Sequence, residues 1–154
     1  MFRKLKIVDS VVCCALAPIC WAQEPTKQVE NEFFLFYVPS DMQQLEGHGI
    51  DSFVQRFESE NIKLSFDYGR YSNNFNGWPE DTRYREVVIS GKPARIGTVR
   101  FEFREGFPFS TKVYFPLDGQ VALSMLVAYK SEGDIEIAHA IFDSIVFKPQ
   151  PDNQ

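Results

Sequence analysis

Residues 121–129 are apolar at both parities of an extended chain. Val121, Leu123, Met125, Val127 and Tyr129 fall on one face, and Ala122, Leu126 and Ala128 on the other. Such a run fits a central strand whose sheet is covered on both faces. Other segments alternate with period two and carry one apolar face each. In 62–68, Ile62, Leu64, Phe66 and Tyr68 oppose Lys63, Ser65 and Asp67. Val99, Phe101 and Phe103 form the apolar face of 94–104. Phe107, Phe109, Val113 and Phe115, with Thr111 beside them, repeat the pattern, and residues 50–57 alternate as well. These strands belong around the two-faced one.

The turns between them are short. Residues 33–38 make a first strand stopped by Pro39, followed in 40–49 by one helical turn from Ser40 or Asp41 and a Gly47-His48-Gly49 turn. Residues 58–61 form a hairpin turn. A strand at 84–90 ends at Gly91-Lys92-Pro93, and Glu105-Gly106 and Asp118-Gly119 turn the chain again. Ile135, Ala138, Ile141, Phe142 and Ile145 recur at three and four, predicting an amphipathic helix of about three turns started near Ser131 and Asp134. A short strand at 145–147 ends the order. Fifteen Phe supply a large β-rich core. The expected class is α+β: an antiparallel meander with a C-terminal helix on one face, forming a single domain at 33–148. A polar leader with little structure (23–32) precedes it and a polar tail (149–154) follows.

The N-terminus reads as an address. Arg3, Lys4 and Lys6 precede a short apolar run from Val11 to Ile19, and Cys20-Trp21-Ala22 puts small residues three and one positions before a cut after Ala22. Those are the parts of a secretory signal peptide at 1–22, too short for a spanning helix. An uncleaved anchor is the plain alternative. Lipidation at Cys20 is another, against which the bulky Ile19 stands directly before the cysteine. The expectation is an exported protein, periplasmic or secreted, with no stable membrane insertion after cleavage. Cys13, Cys14 and Cys20 all lie in that segment, so the mature chain would have neither a disulfide nor a cysteine nucleophile. The net charge of −5 disfavours nucleic acid as a partner, since that binding rests on neutralising phosphates.

Catalytic patterns are sparse. Neither Gly-x-Ser-x-Gly nor Ser-x-x-Lys occurs. His48 between two glycines reads as a turn residue, and His139 as a residue at the boundary of the helix. Ser72, Asn74, Asn76 and Gly77 mimic the first half of a calcium loop, but its twelfth position, which needs a bidentate Glu, falls on Arg83. No metal, cofactor or catalytic residue is assigned. Asp51 and Asp67, on neighbouring expected strands, are the best pair for carboxylate-dependent hydrolysis of a glycan.

The loop at 69–83 is the candidate binding surface. It releases the strand at Gly69 and places Tyr71, Phe75 and Trp78 among Arg70, Asn73 and Asn74. At about 15 residues it is longer than a meander turn requires, and such loops commonly carry function. Arg70, Tyr71, Asn73, Asn74, Phe75 and Trp78 are therefore the expected contacts to a protein or glycan. The competing reading is that these aromatics fold back and seal one end of the sheet.

Three features together resemble the PsbP-like fold. They are the early strand ending in Pro39, the antiparallel sheet, and the terminal helix Ile137-Ala138-His139-Ala140-Ile141-Phe142-Asp143-Ser144-Ile145. The Asp51-Ser52 step, Phe66-Asp67-Tyr68-Gly69 and Tyr71-Ser72-Asn73 are similar to exported bacterial proteins of unknown function. The resemblance implies a curled sheet and a role in binding or assembly rather than catalysis. The resulting expectation is a non-enzymatic binding or assembly protein of the cell envelope, with the glycan hydrolase as the alternative.

Overall fold

The computed structural model describes residues 24–150, in which ten strands and one α-helix follow one another. β1 (Lys27–Glu30), β2 (Phe34–Val38), β3 (Gln43–Leu45), β4 (Ser52–Glu58) and β5 (Ile62–Gly69) precede a long loop. β6 (Arg83–Ile89), β7 (Lys92–Val99), β8 (Phe109–Pro116) and β9 (Ala122–Tyr129) follow it, and α1 (Ile135–Asp143) and β10 (Val146–Phe147) come last. The expected signal segment and the last four residues of the tail lie outside the described residues. The class is α+β: antiparallel sheets with one short helix near the C-terminus.

The large sheet has the order β3-β4-β5-β9-β8-β7-β6. β9 is its middle strand, hydrogen-bonded to β5 from Ile62↔Tyr129 to Gly69↔Ala122 and to β8 from Phe109↔Tyr129 to Pro116↔Ala122. Of its eight residues all but Leu126 are buried, the burial that apolar residues at both parities require. The order departs from a single meander at one point. After β5 the chain jumps to the far edge, and β6, β7, β8 and β9 then return by hairpins to the centre. The tightest of these turns is Ser90-Gly91, with φ of 53° and 73°; a two-residue loop matched to strand twist needs positive φ at both positions.

One face of this sheet carries Ile62, Leu64 and Phe66 of β5, Leu123, Met125 and Val127 of β9, and Val113 and Phe115 of β8, all buried. A second, three-stranded sheet, β1-β2-β10, packs across it together with α1. Phe34 meets Phe66 edge-on at 5.1 Å between ring centroids, and Phe36 meets Phe57 at 5.9 Å and Phe66 at 5.8 Å. α1 contributes Ile137, Ala138, Ile141 and Phe142. Ser144 joins the helix end to β2: its hydroxyl donates to Ile141 O (2.6 Å) and accepts from Tyr37 N–H (2.9 Å).

Several expectations need correction. The leader is not without structure: β1 lies within it, pairs with β2, and is clamped by an ion pair between Lys148 and Glu30 at 2.6 Å. No helical turn forms in 40–49; a turn at Met42 leads into β3, which pairs with the end of β4. The expected strand 94–104 ends at Val99. Phe101 and Phe103 leave the ladder where Phe103 N–H turns back to Phe101 O (3.1 Å), and their rings pack on each other and, through Phe103, on Trp78.

Candidate functional site

The second face of the large sheet presents the opposite parity. It carries Lys63, Ser65 and Asp67 of β5, Ser124 and Leu126 of β9, Lys112 and Tyr114 of β8, Arg95 and Gly97 of β7, and Tyr84 and Glu86 of β6. The loop from β5 to β6 must cross this sheet, because β9, β8 and β7 stand between those strands. Four strand spacings amount to roughly 19 Å. The length of the loop is therefore set by the distance it spans.

Lys112 holds the loop down. Its side chain is 4% exposed although it projects from a strand toward the loop side. The ammonium donates to the carbonyl oxygens of Asn73 (3.3 Å) and Asn74, and it lies 4.6 Å from the ring centroid of Phe75 and 4.9 Å from that of Trp78. Two carbonyls and two ring faces are favourable company for a cation. Burial acts the other way and draws the pKa of Lys112 down to about 8. The loop is tied further by the Ser72 hydroxyl donating to Asp67 O (2.8 Å), the Thr82 hydroxyl donating to Pro79 O (2.6 Å), and Asn76 N–H donating to Asn74 Oδ1 (3.0 Å).

Above Lys112 the rings form a continuous row. Phe101 contacts Phe103 at 4.6 Å, Phe103 contacts Trp78 at 4.8 Å, Trp78 contacts Phe75 at 5.1 Å, and Phe75 contacts Tyr84 at 5.0 Å. The ends of the row are open, with Phe101 48% and Tyr84 49% exposed, while the middle is half-buried. Beside the row, a groove of about 320 Å³ is lined by Arg56, Asp67, Asn76, Trp78, Arg104 and neighbouring residues. Asp67 Oδ1 is buried there with no hydrogen-bond partner among the described residues.

The six loop residues expected from sequence therefore separate. Arg70 and Tyr71 point outward, Tyr71 with 79% exposure. The side chains of Asn73 and Asn74 are exposed, while their carbonyls hold Lys112. Phe75 and Trp78 are half-buried on the sheet, and Trp78 lies between Phe103 and the Lys112 ammonium, which removes it as a free platform for a sugar ring. Lys112, Phe101, Phe103 and Tyr84 complete the assembly without having been expected in it. The alternation at Phe101 and Phe103 was the available signal for two of them.

The other candidates find simpler places. Ser72, the first position of the calcium-like pattern, spends its hydroxyl on Asp67 O, and Arg83 begins β6. Among the described residues no group of three His, Cys, Asp or Glu side chains comes together to hold a metal. Asp67 pairs with Val54, whereas the exposed Asp51 lies outside β4, three positions before that residue. His139 sits in mid-helix, where burial, and then the charge of Arg85, hold its imidazole below the ordinary value. No helix among the described residues is long and apolar enough to cross a membrane.

Comparison with protein-family models and with curated proteins gives no match. Among solved structures, the chain is similar to a crystal structure from Bacteroides thetaiotaomicron, with a TM-score of 0.53 and 14% identity. The similarity covers 86% of this chain and 51% of that one, so the chain spans about half the length of the structure it matches. At that identity the likeness is one of fold alone.

Proposed function

We propose that this chain is an exported, non-enzymatic binding or assembly protein of the cell envelope, with the loop side of its large sheet as the recognition surface. The observation that carries the reading is the row of rings from Phe101 to Tyr84, pinned from below by Lys112 and open at both ends. A preorganised aromatic surface loses little conformational entropy on binding, and aromatic residues with arginine are the types enriched at binding hot spots. Arg70 and Tyr71 extend that surface outward. The partner is a protein or a glycan of the envelope. The helix burying Ile137, Ala138, Ile141 and Phe142 supports an amphipathic helix on one face of the sheet, whose curl and PsbP-like character belong to the same proposal.

Export is tested by the intact mass of the protein isolated from its own cells. Loss of the first 22 residues is the expected result, and a mass retaining Met1 or carrying lipid on Cys20 overturns it. Recognition is tested by capture of envelope proteins and glycans on the purified mature chain, run in parallel with a Tyr71→Ala/Phe101→Ala variant. A partner retained by the wild type and lost by the folded variant supports the reading. A second reading, hydrolysis of an envelope glycan, has the unpartnered Oδ1 of Asp67 in its favour. Glycan turnover abolished by Asp67→Asn would replace the first reading with this one.

A further inference from the structure

On the opposite face of the large sheet, where α1 begins, a cavity of about 350 Å³ opens between the helix and β6, β7 and β8. Its charged lining is unusual for so acidic a chain. Arg83 and Arg85 come from alternate positions of β6 and so share a face, and Arg100 follows the end of β7. Among the described residues none of the three makes an ion pair, and none donates a side-chain hydrogen bond. Asp81 and Glu132 also line the cavity, yet neither has an oxygen within 4.0 Å of these guanidinium nitrogens. Arg95 provides the contrast: on the other face of the same strand pair it bonds Glu86 at 2.5 Å.

Like charges gathered without partners repel one another, and the repulsion is relieved when a counter-charge enters from outside. The guanidinium fork suits carboxylate and phosphate oxygens, which it binds two at a time. The rest of the lining is of a different kind. Ile96, Val99, Phe109 and Ile135 are apolar, and Phe109 stacks on Tyr129 with an interplanar angle of 13°. Arg100 lies over the Phe109 ring at 5.4 Å, which sets one guanidinium where the charged and apolar parts meet. The Tyr129 hydroxyl is already engaged by Thr111 at 2.9 Å. The volume is near the lower end of the roughly 300–1,000 Å³ typical of ligand sites, the size of a compact molecule.

We infer that this cleft binds a small organic anion, its carboxylate or phosphate head on Arg83, Arg85 and Arg100 and its apolar body against Ile96, Phe109 and Ile135. The cleft opens on the other face of the sheet from the aromatic row and shares only Tyr84, the row's exposed end, with it. The arginine substitutions below leave that row unchanged, so its test is separate from that of the function proposed above.

Titration calorimetry of the purified chain with phenyl phosphate, benzoate, inorganic phosphate and phenol tests it. Saturable one-to-one binding of phenyl phosphate or benzoate is expected, at least tenfold tighter than inorganic phosphate or phenol. The better of the two probes identifies the head group. Arg83→Gln/Arg85→Gln should weaken that binding at least tenfold, whereas Lys92→Gln, which removes a charge at the other end of β7, should leave it unchanged. Both arginines are exposed, so the double variant should keep its thermal midpoint. If it does not fold, Arg85→Lys, which keeps the charge and loses the fork, should still weaken binding several-fold. Absence of saturable binding at millimolar phenyl phosphate and benzoate overturns the inference. So does equal affinity for phenol, or an affinity that none of the arginine substitutions moves.

Discussion

The ring of Phe75 occupies the space that a side chain on Gly97 would fill. A Cβ built on Gly97 would stand 2.5 Å from Phe75 Cε1, closer than carbon atoms approach. Gly97 is buried in mid-strand, where glycine is otherwise unfavourable, and its lack of a side chain lets the crossing loop rest on β7. Gly97→Ala should therefore destabilise the protein by about 1–3 kcal/mol through overpacking. Denaturant unfolding measures the loss. A second substitution, Phe75→Ala, should remove most of the extra penalty of Gly97→Ala, and a double-mutant cycle showing strict additivity would refute the contact.

Tyr71 and Trp78 should respond differently to truncation. Tyr71 is 79% exposed, and Tyr71→Ala should change stability by no more than about 0.5 kcal/mol. Trp78 is half-buried between Phe103 and Lys112, and Trp78→Ala should cost about 2 kcal/mol, below the 3–5 kcal/mol of a fully buried large aromatic. Chemical denaturation of both variants is the check. Equal losses would place the two rings in the same environment and contradict the geometry.

Lys112 should make stability depend on pH at the alkaline end. Its folded-state pKa is drawn down to about 8 from an ordinary value of 10.5. Between those values the unfolded chain binds more protons than the folded one, so stability rises with pH across the window. The rise should be clear from about pH 8 to 10. Above that, Tyr68 and Tyr129 oppose it, because burial pushes both phenols up and stability falls as such groups ionise. The thermal midpoint of wild type should climb over this range. In Lys112→Met the climb should be absent.

The strand found in the leader predicts that trimming matters. β1 is mostly exposed, yet it shares a ladder with β2 and is anchored by Lys148 to Glu30 and by Lys27 Nζ to Met42 O at 2.9 Å. A chain beginning at residue 33 should lose about 2–4 kcal/mol relative to one beginning at residue 23, since each of several lost hydrogen bonds contributes about 1 kcal/mol. Equal unfolding midpoints for the two chains would show that β1 contributes nothing.

Local pattern alone placed β9, because apolar residues at both parities of 121–129 fit a central strand covered on both faces. It also marked the buried register of β5 and the helix at Ile135, each of which repeats one strong period. Strand order was not available in the same way. It depends on Ile62 meeting Tyr129, a pairing across the sequence that no local pattern announces. β1 was missed because Lys27–Glu30 is an exposed strand without an apolar face. The loop after Gly69 was legible as aromatic and long, but its length was read as surplus when it is the span between β5 and β6. Lys112 could not be recognised as an anchor, since its partners are backbone carbonyls delivered by a loop far away in the chain.

The central place of β9 makes assembly wait for the last strand of the large sheet in chain order. Without it, β3, β4 and β5 form one half-sheet and β6, β7 and β8 another, and no ladder joins them. A chain growing from the ribosome, or threading through a pore N-terminus first, holds two open strand edges until residue 129 arrives. Such edges are templates for wrong pairing, and the long-range closure that protects them is slow. Premature termination anywhere before Val121 should therefore yield not a smaller protein but an aggregating one.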